Sequence, residues 1–271
     1  MNIKSNTGIW LPRIWNIFLV LAMLISGLSL SATPAKAAPA GTALQFNGSS
    51  QYVTFGNTRM LPGTLTNTPT WNTQANSKLG SSSLLFNGTS QYVTFGAAPE
   101  LGATNFTLEV WFYWTGSGAT GTTGSGGLTA GIPLLAKGRD QADGSNVDAN
   151  YYLGIQGSKL AADFEDMATG ANHPIVGNTT ITTNAWHHAA VTYDSASAVW
   201  TLYLDGIADG TLDLGSNVMP RFDSIQYATI GSSQNSTGGA SGFFAGRIDE
   251  ARAKSLKRVD RHEHAVNIHL I

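Results

Sequence analysis

The chain has no cysteine among its 271 residues. That excludes disulfides, thiolate zinc sites, iron–sulfur clusters and cysteine nucleophiles together. Charge is scarce: 12% of residues are Asp, Glu, Lys or Arg, about half the usual ~25%. No apolar run is long enough to span a bilayer. The longest, from Ile17 to about Leu30, holds 14 residues against the ~20 required. No helical periodicity is sustained ahead of the C-terminal end. Glycine is plentiful, at 31 residues, and aromatics make up 10%. With abundant Thr and Ser, they describe a chain of short strands and many turns. A hydrophobic content of 42% is too high for wholesale disorder.

Lys4 and Arg13 precede the apolar run, and Ala35-Lys36-Ala37 follows it as a small-x-small cleavage pattern. This reads as a bacterial export signal over residues 1–37, cleaved after Ala37, with no membrane span left afterwards and a secreted or cell-surface destination. Residues 38–251 then carry seven basic and 15 acidic residues, net −8, while 252–271 carry five basic and two acidic, net +3. An acidic domain is a poor nucleic-acid binder. It suits calcium or a neutral glycan better.

Residues 43–56 (ALQFNGSSQYVTFG) and 83–96 (SLLFNGTSQYVTFG) agree at 11 of 14 positions, 40 residues apart, and no third copy follows. Each reads as strand, Asn-Gly turn, strand, that is, a hairpin. One sandwich has one place for such a pair. The second copy is expected to hold it, because its connection to Phe106 is short. Asn57 to Gly80, rich in Thr, Asn, Ser and Pro, reads as a linker. The expected organisation is therefore a partial repeat and linker over 38–77, the domain proper over 78–252, and a basic tail over 253–271.

Alternation marks the strands that follow. Phe106, Leu108, Val110 and Phe112 occupy one face of a strand, Thr107, Glu109, Trp111 and Tyr113 the other. Further strands are expected near 133–136, 151–156, 159–165, 185–193, 199–205, 210–214, 225–230 and 243–252. Ten or so short strands in one run predict a two-sheet antiparallel jelly-roll sandwich. Thr115 to Gly131, almost all Gly, Ser, Thr and Ala, reads as a flexible loop without a phosphate-binding lysine, which argues against a nucleotide.

Seven blocks in order then resemble a known family: LFNGTSQYV (85–93), FTLEVWF (106–112), LLAKG (134–138), YYLGI (151–155), WHHAAVTYD (186–194), LYLDG (202–206) and GRIDEAR (246–252). Together they are similar to the laminin-G-like jelly-roll modules of the concanavalin A-like lectin/glucanase superfamily. The resemblance implies a binding module within a secreted or surface protein and no particular reaction. After Arg252 the chain departs from that pattern.

Asp163 and Glu165, two apart on a strand, form a carboxylate pair suited to glycoside hydrolysis. Some glucanases of the superfamily carry Glu-x-Asp-x-x-Glu on one strand. Here the first two types are reversed and the third position is Ala168, so the pair reads as a solvated acidic strand end or as calcium ligands. Asp140, Asp143, Asn146 and Asp148 crowd one loop, either as calcium ligands or as a polar turn. By the resemblance, a structural calcium would bridge Asp249 to the Asn87-Gly88 turn; the alternative is that Asp249 caps a turn or pairs with Arg252. Strict alternation places Ile248 and Glu250 opposite to Arg247, Asp249 and Ala251. The histidines His173, His187 and His188 carry no metal signature. Glu109, Trp111 and Tyr113 fall on an outer face, where aromatics can stack sugars unless a loop or the first repeat copy covers them. The reading is a non-catalytic binding or adhesion module for carbohydrate or a surface partner. The alternatives are a divergent glycan hydrolase and a structural segment of a larger surface protein.

Overall fold

A computed structural model of the chain describes residues 59–139, 143, 148–216, 218–259 and 262–267. The predicted signal, the first repeat copy, Asp140 and Asn146 lie outside them. Among the described residues there are strands and two 3-10 turns, and no α-helix. The strands are β1 (Arg59–Met60), β2 (Thr64–Thr66), β3 (Thr70–Thr73), β4 (Ser82–Asn87), β5 (Tyr92–Thr94) and β6 (Phe106–Ala119). There follow β7 (Ile132–Lys137), β8 (Tyr151–Gln156), β9 (Lys159–Asp163), β10 (Ile175–Thr180), β11 (Trp186–Asp194) and β12 (Val199–Leu204). The last are β13 (Ile207–Asp213), β14 (Ala228–Ile230), β15 (Ser232–Gln234), β16 (Ala240–Val259) and β17 (His262–Asn267).

They form two sheets. The smaller has the order β10-β9-β8-β7-β14-β5-β2, antiparallel throughout. The larger runs β1-β17-β16-β6-β11-β12-β13, with β4 and β15 also on β16 and β3 on β4. This is the predicted jelly-roll sandwich. Its core lies between the sheets, and strands such as β6 and β12 alternate, with one face turned into it. In β6, Phe106, Leu108, Val110, Phe112 and Trp114 are buried while Thr107, Glu109, Trp111 and Tyr113 are half-buried on the opposite face. Five rings from both sheets meet at the centre: Phe106, Tyr151, Phe164, Tyr193 and Trp200, with centroids 4.7–6.1 Å apart. Burying one such side chain is worth about 1.5–3 kcal/mol.

In β16 a register slip changes the face on which a predicted residue lies. Between Asp249 and Arg252 the register of β16 against β6 slips by one residue, and Glu250 takes φ +50°. This β-bulge turns Ala251 into the core, where it is fully buried. Arg252, not Ala251, therefore shares the outer face with Asp249.

The repeat and its flanks also differ from expectation. The second copy is not a hairpin: β4 joins the larger sheet beside β16 and β5 the smaller beside β14. The cause is the turn. Asn87 Oδ1 accepts the N–H groups of Thr89, Ser90 and Gln91, which steers the chain across the sandwich. Gly88, at φ +75°, packs so close to Ala245 that a Cβ would lie 2.6 Å from that residue's Cβ. The expected linker carries two edge strands, β2 on β5 and β3 on β4. Its polar Thr and Asn content suits edges, where half of each strand faces water. Likewise β16 continues to Val259 and turns back into β17. The Gly-rich stretch extends β6 to Ala119 before it becomes a loop.

Candidate functional site

The outer face of the larger sheet is built by register. β11 sets Trp186 opposite Tyr113, His188 opposite Trp111 and Ala190 opposite Glu109. β16 sets Arg247 opposite Tyr113, Asp249 opposite Trp111 and Arg252 opposite Glu109. Cross-strand partners share a face, so three strands present one continuous patch. Its rings touch: Tyr113 meets Trp186 edge-on at 5.8 Å, and Trp111 meets His188 at 5.0 Å. Cations cap them. The Arg247 guanidinium lies 4.6 Å from the Tyr113 ring centre, and Lys78 Nζ lies 4.4 Å from that of Trp111. Arg252 reaches Glu250 Oε2 at 2.6 Å and Glu109 Oε1 at 3.3 Å, while His188 Nε2 lies 3.8 Å from Glu109 Oε2. The expected Glu109, Trp111 and Tyr113 are thus together. Trp186, His188, Arg247 and Lys78 join them, which only the strand order reveals.

Part of the patch is covered. Asp249 Oδ2 accepts the backbone N–H groups of Lys78 and Leu79 at 2.8 and 2.9 Å, and its side chain is buried. The segment before β4 thereby clasps the face at Trp111.

The other predicted residues fall elsewhere. Asn87 lies opposite Ala245, and Ile248 lies opposite Leu84. Asp249 is therefore four positions along β16 from Asn87's partner, about 13 Å at strand rise. The two are not brought together, and Asn87 caps its own turn. In the other loop, Gln226 Nε2 donates to Asp143 Oδ2 at 2.9 Å and to Asp148 Oδ1 at 2.7 Å. Burial raises the Asp143 pKa, but the bonds from Ser236 and Gln226 and the charge of Arg139 outweigh it, leaving it below the usual value. Among the described residues, no group of three or more His, Asp and Glu side chains is placed to hold a metal ion.

Asp163 and Glu165 are buried, not a solvated strand end. They diverge because β9 stops at Asp163. The Asp163 side chain lies under the Gly-rich loop, where Oδ2 accepts from Thr123 Oγ1 at 2.5 Å and from Leu128 N at 3.3 Å. Its Oδ1 has no hydrogen-bond partner among the described residues, and Tyr152 stands opposite it on β8. Burial lifts its carboxyl to about 7, against the hydrogen bonds. Glu165 instead accepts Asp148 N at 2.8 Å, and burial raises its pKa too. A glycosidase pair flanks its substrate from both sides. These two carboxylates face separate buried surroundings. His173 stacks on Phe164 at 5.1 Å, and burial lowers its pKa although Asp166 opposes this. His187 bonds Asp205 at 2.7 Å and the Thr182 carbonyl at 3.0 Å.

The chain is similar to several solved structures at low sequence identity. One is the CBM40 module of the Ruminococcus gnavus IT-sialidase bound to α2,3-sialyllactose: 15% identity, TM-score 0.43, covering 56% of this chain and 76% of that one. Another is domain 4 of AbnA, an extracellular arabinanase of Geobacillus stearothermophilus, in complex with arabinotriose: 17% identity, TM-score 0.47, covering 76% and 84%. A third is the enzymatically active domain of tailspike protein 2 of bacteriophage CBA120: 17% identity, TM-score 0.48, covering 76% and 30%. None of the curated proteins compared with the chain matches it. The laminin G family model, described as the concanavalin A-like lectin/glucanases superfamily, matches residues 87–257. By that match, and by the two antiparallel sheets that carry it, this chain belongs to the concanavalin A-like lectin/glucanases superfamily.

Proposed function

We propose that the chain is a secreted, non-catalytic carbohydrate-binding module, and that the outer patch of the larger sheet holds the sugar. One observation carries the reading: Trp111, Tyr113 and Trp186 form a half-exposed row across neighbouring strands, interleaved with Glu109, His188 and Arg247. The apolar C–H face of a pyranose stacks on such rings, and its hydroxyls find charged donors and acceptors at the ring edges. Buried Asp163 and Glu165 do not open onto this patch, which supports binding over hydrolysis.

The test is a glycan array probed with the full chain, followed by calorimetry on the best ligand. Trp111→Ala and Tyr113→Ala should each weaken binding about tenfold or more, since each removes a stacking platform worth on the order of 1–2 kcal/mol. Unchanged affinity in both variants would remove the patch from consideration. Reducing-sugar release from that ligand, lost in Glu165→Gln, would replace the reading with hydrolysis.

A further inference from the structure

We infer, on the basis of the sugar-binding reading above, that the saccharide held on the outer patch carries a carboxylate, and that Arg247 selects it. The charges of that face are otherwise matched within the protein. Arg252 reaches Glu250 at 2.6 Å and Glu109 at 3.3 Å. His188 lies 3.8 Å from Glu109. Asp249 turns its Oδ2 to the N–H groups of Lys78 and Leu79. Arg247 differs. Among the described residues no carboxylate or carbonyl accepts from its guanidinium, and its Nε is buried without a hydrogen-bond partner. The cation lies instead 4.6 Å from the Tyr113 ring centre.

Register explains this isolation. Arg247 stands between Leu85 of β4 and Tyr113 of β6, and Tyr113 stands opposite Trp186 of β11. That row holds an aliphatic chain, a cation and two rings, and no acid. Glu109 is four residues along β6 from Tyr113, about 13 Å at strand rise. The patch is therefore polarised. Its Tyr113 end carries the unmatched guanidinium, with Lys78 Nζ over the neighbouring Trp111. Its Glu109 end sets two carboxylates against Arg252. Residues 38–251 are net acidic, so this end is a local exception and not part of a basic surface. It suits one anionic group on a small ligand, not a polyphosphate backbone.

A sugar that stacks on Tyr113 and Trp186 also strips water from the guanidinium beside them. A cation desolvated without an anion is costly. A hydroxyl returns one neutral acceptor. A carboxylate returns a charge and two coplanar oxygens, which match the fork of terminal N–H groups. The same side chain thus favours an acidic sugar and penalises a neutral one, which is how specificity arises. A hexuronate has the required shape: its carboxylate projects from the rim of the pyranose, so the ring can stack while the acid meets Arg247. Its hydroxyls then extend toward Glu109.

The experiment is calorimetry on the full chain with trigalacturonate, trimannuronate and triglucuronate, each against its methyl ester. At least one acid should bind, with its ester about tenfold or more weaker, since the ester keeps the shape and loses the charge. Raising salt from about 50 to about 500 mM should weaken the acid and not the ester. Arg247→Gln should bring the acid down to the level of the ester, and Arg247→Lys should recover part of the preference, having the charge without the fork. Trp111→Ala should weaken acid and ester by the same factor. An ester that binds as tightly as its acid overturns the inference, even if Arg247→Gln does not fold. So does an acid preference that survives Arg247→Gln. A carrageenan tetrasaccharide, sulfated and free of uronate, that binds more tightly than any uronate would overturn the carboxylate in favour of a sulfate ester. If only neutral glycans bind, and through Trp111 and Tyr113, the binding-module reading stands and the carboxylate falls. If neither class binds, the sugar reading falls and takes this inference with it.

Discussion

Replacing Asp163 by Asn should change how the stability of this protein depends on pH. The carboxyl group is fully buried beneath Thr123 and Leu128, with one oxygen unpartnered among the described residues. Burial lifts its pKa from 3.8 to about 7. A raised carboxyl pKa means that the folded protein holds a proton which the unfolded chain has already lost. Below pH ~4 both states are protonated and the group is neutral in its effect. Between pH ~4 and ~7 the unfolded chain gains by ionising, so stability falls as pH rises, and it levels off above ~7. About three pKa units correspond to about 4 kcal/mol. Asn keeps an oxygen for the Thr123 hydroxyl and cannot ionise, so the variant escapes this slope. Any fixed cost of its extra N–H groups is the same at every pH and cancels. The difference in unfolding free energy, variant minus wild type, should therefore rise by about 4 kcal/mol from pH 4 to pH 8. For a domain of this size that is a relative shift of about 8–16 °C in Tm. Urea denaturation of both proteins at five pH values measures it. A difference that stays flat to within ~1 kcal/mol would show that Asp163 ionises normally, and that the loop over it admits water.

Three other outcomes follow from the geometry. Asp249→Ala leaves the Lys78 and Leu79 N–H groups without their acceptor and should cost about 1–3 kcal/mol; a melting curve identical to the wild type would mean that water replaces the carboxylate freely. Lys137 Nζ donates to the carbonyls of Ala97 and Gln226, and burial lowers its pKa to about 8 although Glu100 opposes this. The unfolded chain holds that proton up to about pH 10.5, so wild-type stability relative to Lys137→Met should rise between pH 8 and 10; urea titrations at pH 7.5 and 9.5 test the sign. Deleting residues 61–73 removes β2 and β3 from the edges of both sheets and should lower Tm by several degrees, as read by calorimetry; an unaltered transition would return the segment to the status of a linker.

The sandwich was legible because strands such as β6 and β12 alternate without ambiguity. Phe106 to Trp114 can be assigned to two faces from the sequence alone. Legibility ended where pairing, and not periodicity, decides. Trp186 and His188 alternate visibly within β11, but nothing local says that β11 lies beside β6 and completes the Trp111 patch. β2, β3 and β10 were missed because edge strands rich in Thr and Asn look like loops. Ala251 was placed on the wrong face because a bulge at Glu250 leaves no mark in an alternating pattern. Asp163 and Glu165 were read as solvated because carboxylates usually are. The Gly-rich segment that buries Asp163 gave no apolar signal except Leu128.

One strand sets the timing of assembly. β16 hydrogen-bonds to β4, β6, β15 and β17, yet it is synthesised long after β4 and β6. β6 ends at Ala119 and β16 at Val259, so one edge of β6 waits for about 140 residues. At ribosomal rates of 5–20 residues per second that wait is on the order of 7–28 s. During it the nascent chain displays unpaired N–H and C=O groups along β4 and β6, next to apolar residues meant for the core. Such pairing between distant segments makes folding slow. A holding chaperone, or a translocation channel that keeps the chain extended, would do most for yield in that interval, and stopping synthesis before residue 240 should leave a product that aggregates instead of a smaller folded domain.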